Sequence, residues 1–108
     1  MARRLERGEI RLYRFPAPDK ERPVVLLTRE ASLPYLTKLT VAPVTSTVRG
    51  APSEVILEET DGMKGTCAVN LYNLATVHRE RLGRRIGKLS SARLRQICSA
   101  MRFALGCD

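Results

Sequence analysis

Apolar residues recur at spacings of three and four in the C-terminal segment, whereas the rest of the chain lacks this helical spacing. This difference between the two parts of the chain constrains the fold more than any other feature. Ser90 is a good N-cap, and Gly106 stands where a glycine often closes a helix. The sequence therefore predicts one amphipathic helix of about four turns between them. Its apolar stripe comprises Leu94, Ile97, Cys98, Met101 and Leu105, and its other faces carry Arg93, Arg95, Gln96 and Arg102.

The rest of the chain consists of short apolar and β-branched runs separated by turn residues, which is typical of strands. The predicted strands are Gly8–Phe15, Pro23–Leu27, Thr37–Thr47, Ser53–Glu59, Cys67–Leu71, Leu74–Val77 and Arg84–Leu89, with a polar loop at Pro16–Glu21 and a turn at Asp61–Gly65. Strands followed by one helix predict a mainly β fold with α, a small β-barrel or curled sheet with the helix packed on it. A chain of 108 residues fits one compact domain, so we expect a single domain over residues 1–108.

Two of these strands differ in their predicted burial. Gly8–Phe15 alternates, with Ile10 and Leu12 on one face and Arg11 on the other, which predicts a half-buried strand. Pro23–Leu27 is continuously apolar and partly β-branched, which predicts a strand buried on both faces.

The charge of the chain narrows the choice of partner. The net charge is +8, and Arg supplies 15 of the 19 basic residues. Arg presents a planar fork that matches phosphate, and it stacks on bases. An Arg-dominated excess on a small domain favours a nucleic acid or another polyanion as the partner. The alternative is an arginine-rich composition with no binding role.

Several other classes of protein are disfavoured. No stretch approaches the roughly 18 apolar residues of a membrane span, and the basic N-terminus has no apolar run behind it, so we expect a cytoplasmic protein without membrane association. Cys67, Cys98 and Cys107 are far apart and form no CxxC pair, and the acidic residues are scattered. This pattern argues against a disulfide framework and a metal site, and we expect no cofactor.

A set of short motifs follows in order along nearly the whole chain. They are Arg7-Gly8-Glu9-Ile10, Arg22-Pro23-Val24-Val25-Leu26-Leu27, Val41-Ala42-Pro43-Val44-Thr45-Ser46-Thr47, Pro52-Ser53-Glu54-Val55, Thr76-Val77-His78-Arg79-Glu80-Arg81-Leu82 and Ala104-Leu105-Gly106. The set resembles the MazF/PemK toxins, whose corresponding segments begin "RGEIW", "RPVLVV" and "VVPLTS". The resemblance implies the SH3-like barrel of the CcdB/MazF/Kid type.

The resemblance also implies a function. It is that of a toxin of a type II toxin–antitoxin system, a sequence-specific endoribonuclease that cuts single-stranded RNA (mRNA, or alternatively tRNA or rRNA) without a metal ion. It implies a homodimer and a MazE-like antitoxin with an acidic tail. The alternatives are a non-enzymatic gyrase poison like CcdB and a basic barrel that binds RNA without cutting it, since a fold does not fix a function.

Three residues are the catalytic candidates. A metal-independent ribonuclease uses the 2′-hydroxyl of its substrate as the nucleophile, and it needs donors for the charge that develops on the phosphate. Arg22 matches the family pattern and offers a bidentate fork to that phosphate. Thr45 also matches and, supported by Ser46, offers a hydroxyl. Without the family pattern, Arg22 and Thr45 would be interpreted as an ordinary surface arginine and an ordinary strand threonine.

Five further residues are candidates for RNA binding, namely Thr47, Asn73, Arg79, Arg84 and Arg85. Asn73 lies in Leu71-Tyr72-Asn73-Leu74-Ala75, where the family commonly has "LEQIR", and either reads a base edge or holds a turn. The arginines either follow phosphates, hold an acidic partner or form a solvated face. His78 is the only histidine. It is interpreted as a solvent-facing loop residue, with a catalytic role as the alternative. The family's first loop covers the site, but here Pro16–Glu21 is short.

Overall fold

The computed structural model describes residues 4–18 and 20–107. These residues form seven strands and one α-helix, joined by short 3₁₀ helices at Glu30–Tyr35, Glu59–Asp61, Leu71–Asn73 and Arg79–Arg81. The elements are β1 (Glu9–Arg14), β2 (Glu21–Leu26), β3 (Lys38–Thr45), β4 (Glu54–Leu57), β5 (Cys67–Asn70), β6 (Ala75–His78), β7 (Arg85–Lys88) and α1 (Ser91–Leu105). Every predicted strand and the helix are confirmed, with ends that differ by one or a few residues.

Some residues of the predicted segments are not described by the structure, and two predicted boundaries differ from those observed. The N-terminal residues 1–3 and Asp19, in the predicted loop, lie outside the described residues. The last residue of that loop, Glu21, begins β2. The predicted turn at Asp61–Gly65 begins inside a 3₁₀ helix that ends at Asp61.

All strand pairs are antiparallel, in the order β4-β5-β3-β2-β1-β7, and β6 also pairs with β3. Strand β3 organises the sheet because it is long enough to pair with different neighbours along its length. Its first half pairs with β6, from Lys38 opposite His78 onward, and its end pairs with β5, where Thr45 is opposite Ala68. The strand thus passes from one part of the sheet to another, which gives the curled sheet predicted from the strand pattern and fits the SH3-like barrel implied by the resemblance.

The curled sheet is covered on both faces. One hydrophobic cluster lies between the sheet and α1, and its buried members include Ile10, Val25, Ala42, Val44, Val55, Leu57, Val69, Leu71 and Ile97. A second cluster lies on the other face and comprises Leu5, Val24, Leu26, Leu33, Leu39, Val41 and Val77. Successive residues of β2 belong to different clusters, which confirms that this apolar run is buried on both faces.

The prediction of a half-buried strand is wrong for the first half of β1, where Glu9, Ile10 and Arg11 are all buried. Arg11 and Glu9 are both buried, and their side chains form an ion pair at 2.7 Å. Arg11 also donates to the carbonyl of Gly83 at 2.8 Å. The carboxylate and the carbonyl satisfy the guanidinium inside the fold, which is the condition for burying a charge.

Helix α1 has the predicted caps. The Ser90 hydroxyl accepts a hydrogen bond from the Arg93 backbone N–H at 3.1 Å, and Gly106 adopts the left-handed conformation. The predicted apolar stripe is wrong at its end, because Leu105 is exposed whereas Ala100 is buried. No helix within residues 4–18 and 20–107 is long and apolar enough to cross a lipid bilayer.

Candidate active site

A groove of about 910 Å³ opens at one end of the curled sheet. Residues from β1, β2 and the end of β3 line it, together with the start of β7 and the turn that precedes β5. Its polar lining consists of the cations Lys20, Arg22, Lys64 and Arg84 and the hydroxyl residues Thr45, Ser46, Thr47 and Thr66. Among the described residues, no acidic side chain lines the groove, so its lining favours an anionic ligand.

Arg22 and Thr45 line the same groove from neighbouring strands. The pairing of β2 with β3 ends at Val24 opposite Pro43, and Arg22 and Thr45 each lie two residues beyond that pair on their own strands. Arg22 is partly buried and its Nε is fully buried, so the start of its guanidinium group is held by the surrounding protein while it lines the groove.

Thr45 is the last residue of β3, and a local hydrogen bond orients its hydroxyl. The Thr45 Oγ1 accepts a hydrogen bond from the Thr47 backbone N–H at 3.1 Å. This contact turns the chain out of the strand. Because the oxygen is used as an acceptor there, the hydroxyl proton can be donated to a ligand. Ser46 and Thr47 are exposed at the same rim of the groove.

Arg84 reaches the groove from the segment that leads into β7. Its carbonyl accepts a hydrogen bond from Leu12 at 3.1 Å, and the neighbouring Gly83 N–H donates to the Leu12 carbonyl at 2.7 Å. A Cβ on Gly83 would lie only 2.9 Å from that carbonyl, so this close approach requires glycine. Arg11 holds the Gly83 carbonyl from the other side. The buried ion pair of β1 thus fixes the backbone that carries Arg84.

The other two arginine candidates lie outside the groove. Arg85 contacts the carboxylates of Glu6 and Glu9 at 3.4 and 3.1 Å. Arg79 donates to the carbonyls of Leu33 and Leu36 and so braces the 3₁₀ helix at Glu30–Tyr35. RNA binding by Arg79 and Arg85 stays a prediction, although both guanidinium groups already serve contacts within the fold.

Asn73 and His78 also lie outside the groove lining. Asn73 ends the 3₁₀ helix at Leu71–Asn73 and is exposed. The turn there is held by Asn70, whose Oδ1 accepts from the Tyr72 N–H at 3.0 Å. The side chain that holds this turn is therefore that of Asn70 and not that of Asn73. Reading of a base edge by Asn73 stays a prediction. His78 is exposed at the end of β6, paired with Lys38.

Sequence reasoning missed Lys20, Lys64 and Thr66 as groove residues. No sequence signal marks them, because they lie in a loop and a turn whose position depends on the curl of the sheet. Cys67 also lines the groove and is a free thiol. Burial raises the pKa of this thiol, and the Asp61 carboxylate raises it further, so the thiol is neutral at ordinary pH. Within the described part of the chain, no three His, Cys, Asp or Glu side chains group together as metal ligands would.

A model of the PemK-like, MazF-like toxins of type II toxin–antitoxin systems matches residues 6–105. The chain belongs to this family. Two curated PemK/MazF relatives from Mycobacterium tuberculosis agree. Probable endoribonuclease MazF5 is 44% identical over 88 residues, which span 81% of this chain and 81% of that protein. Endoribonuclease MazF3 is 40% identical over 90 residues, or 83% and 87% of the two chains.

Solved structures confirm the MazF fold. The Mycobacterium tuberculosis toxin MazF-mt6 superposes with a TM-score of 0.85 at 37% identity, covering 93% of this chain and 98% of that one. A mycobacterial endoribonuclease in complex with its cognate antitoxin also reaches 0.85, covering 96% and 97%. Its identity is 23%, so it supports the fold alone. These matches confirm the resemblance inferred from the motifs, and they give no support to the alternative of a gyrase poison.

Proposed function

We propose that this MazF-type toxin endoribonuclease cuts single-stranded RNA at particular sequences by attack of the RNA's own 2′-hydroxyl, without a metal ion. The observation that carries the proposal is that Arg22 and Thr45, from the neighbouring strands β2 and β3, line one basic groove. In this proposal the main substrates are mRNAs, with tRNA and rRNA as the alternatives.

The proposed reaction is a transesterification. The 2′-oxygen forms a bond to the adjacent phosphorus, and the bond from phosphorus to the 5′-oxygen breaks. The products carry a 2′,3′-cyclic phosphate and a free 5′-hydroxyl. The 2′-hydroxyl loses its proton to water and the leaving 5′-oxygen gains one from water, so the protons balance. The protein's part is to stabilise the negative charge that grows on the phosphate between these two events.

Arg22 and Thr45 supply that stabilisation in the proposal. The Arg22 guanidinium donates to two non-bridging oxygens, and the Thr45 hydroxyl donates to the same phosphate. Arginine stays protonated in proteins, so its role is electrostatic rather than that of a base. Ser46 supports Thr45 in this role. Thr47 and Arg84 contact the RNA on either side of the scissile phosphate. Positive charge held in place before the reaction replaces the charge that a metal ion would otherwise provide.

The partners follow from the family and the charge. We propose a homodimer in the cytoplasm, where the RNA substrates are. We also propose a MazE-like antitoxin whose acidic tail competes with RNA for the cations of the groove. One structural neighbour is an endoribonuclease in complex with its cognate antitoxin, and others are MazE–MazF complexes from Deinococcus radiodurans. The net charge of +8 supports an acidic partner for this chain too.

The test is to incubate the purified protein with a mixed RNA in excess chelator and map both new ends. We expect cleavage with a 2′,3′-cyclic or 3′-phosphate on one fragment and a 5′-hydroxyl on the other. A matched RNA with one 2′-methoxy nucleotide just 5′ of the mapped cut should bind and stay intact, because its phosphates are unchanged. Cutting of this blocked RNA at the same site, or a requirement for magnesium, would refute the mechanism.

A further inference from the structure

The groove has a second basic wall that the proposed reaction leaves unused. This wall is the turn at residues 62–66 between β4 and β5, which contributes Lys64 and Thr66 to the lining. Both residues are exposed. Arg22, Thr45 and Arg84 line the same groove from β2, the end of β3 and the start of β7. The groove is therefore bounded by cations from separate parts of the fold.

The turn that carries Lys64 is anchored to the rest of the molecule. Both oxygens of Asp61, just before the turn, accept hydrogen bonds from Arg93 of α1 at 3.1 Å. The Gly62 N–H donates to the Glu59 carbonyl at 2.9 Å, and Gly62 adopts the left-handed conformation that closes the 3₁₀ helix. Met63 packs against the core between the sheet and α1. A wall held in this way needs little further ordering when a ligand binds.

Lys64 lacks the carboxylate neighbours that some other cations of the molecule have. Arg85, Lys88 and Arg93 each lie within 3.4 Å of a carboxylate oxygen. No ion pair of Lys64 occurs within residues 4–18 and 20–107. The ammonium group therefore stands exposed beside a groove in which the other charged lining residues that the structure describes are cations, and this environment favours an anion.

The groove is larger than a single phosphate requires. Its volume of about 910 Å³ is near the upper end of the range for sites that enclose a whole small molecule. A single phosphate held by Arg22 and Thr45 leaves most of that space, including the wall at Lys64, unfilled. The next phosphate of the same strand is the anionic group that covalent connectivity brings there.

We propose that Lys64 and Thr66 bind a phosphate adjacent to the scissile one, so that the groove grips the RNA backbone at two consecutive positions. The Lys64 ammonium supplies charge, and the Thr66 hydroxyl supplies a hydrogen bond. This inference rests on the proposed function. It adds a substrate requirement: a dinucleoside monophosphate, which carries the scissile phosphate alone, gains nothing from Lys64.

The test measures binding of the full chain to a fully 2′-methoxy oligonucleotide that contains the mapped cleavage site. Lys64→Ala and Thr66→Val are compared with the parent protein over a range of salt concentrations. Lys38→Ala is the matched control, because Lys38 is an exposed lysine at the opposite end of β3 from Thr45. Each phosphate flanking the cut is then replaced in turn by a neutral methylphosphonate.

We expect Lys64→Ala to reduce the slope of log affinity against log salt by about 0.7, the value for one phosphate contact on a single strand. Lys38→Ala should keep the parent slope, and Lys64→Arg should restore it. One methylphosphonate should weaken the parent severalfold and leave Lys64→Ala unaffected, which identifies the phosphate that Lys64 contacts. Thr66→Val should weaken binding without changing the slope. Cleavage of a dinucleoside monophosphate should be equal in the parent and Lys64→Ala.

Other outcomes overturn the inference in distinguishable ways. In one such outcome the parent cuts RNA in chelator, but Lys64→Ala keeps the parent slope of log affinity against log salt and responds to each methylphosphonate as the parent does. That outcome overturns this inference and leaves the proposed function standing. Weaker binding of an acidic peptide by Lys64→Ala, with RNA binding unchanged, assigns the wall to a protein partner instead. A parent that neither binds nor cuts RNA overturns the proposed function and this inference together.

Discussion

At the scale of single residues, the candidate site depends on which charged groups are already used within the fold. Arg79 and Arg85 contact carbonyls or carboxylates outside the groove, whereas Arg84 lines the groove. Arginines that are equivalent by sequence type therefore differ in what they can offer a ligand. The same distinction separates Lys64 from Lys88, which contacts Glu6 at 3.3 Å.

Arg22→Ala should reduce RNA cleavage on the order of a hundredfold or more, because it removes one charge donor held in place for the transition state. The fold should survive, since Arg22 is only partly buried near the start of β2. Single-turnover cleavage rates and thermal unfolding measure the two effects. Arg14→Ala is the matched control, as Arg14 is an exposed arginine on the neighbouring strand β1. Near-parental cleavage by Arg22→Ala, together with an inactive His78→Ala, would contradict the assignment.

At the scale of elements, an ion pair fastens α1 to the turn that borders the groove. Arg93 contacts Asp61 at 3.1 Å, and the Asp61 side chain is 9% exposed. Burial acts to raise the pKa of Asp61. The hydrogen bond from Arg93, the one from the Glu58 N–H and the charge of Arg93 together outweigh it, so the pKa is lowered. The carboxylate is therefore charged in the folded state at a pH where the unfolded chain begins to take up protons.

Asp61→Asn should lower the free energy of unfolding at neutral pH by about 1.5–3 kcal/mol, the range for hydrogen bonds to charged groups. Because the folded pKa is lowered, this stabilisation is present above the unfolded value near 4 and is lost as the pH falls through the folded value. Urea unfolding of both proteins between pH 7 and pH 2.5 measures it. The two stability curves should converge in acid, and a difference that stays constant over this range would contradict the role of the charge.

At the scale of the whole molecule, the net charge of +8 should make binding to an acidic chain strongly dependent on salt. We expect a polyglutamate peptide to inhibit RNA cleavage at low salt and to lose most of that inhibition at high salt. A polyglutamine peptide of the same length is the matched control and should not inhibit. Fluorescence anisotropy gives the peptide affinity directly, and equal affinities at low and high salt would contradict an electrostatic partner surface.

The local elements of this chain were determined by its sequence. The caps at Ser90 and Gly106, the alternation of Val55 and Leu57 in β4 and the apolar run of β2 all reflect interactions between residues close together in the chain. Such short-range preferences depend on backbone conformation and side-chain period, so they are readable without the fold. The family motifs added the catalytic candidates Arg22 and Thr45, whose roles stay predictions.

Only the tertiary structure decided which charges are buried and which face the groove. Alternation placed Arg11 on the face opposite Ile10, which was expected to be less buried, but Arg11 is buried, donates to the Gly83 carbonyl and is paired with Glu9. Lys64 looked like an ordinary turn residue, and the curl of the sheet brought it to the same groove as Arg22. The physical reason is that burial and electrostatic environment depend on neighbours far away in the chain, and strand register and sheet curvature set those neighbours.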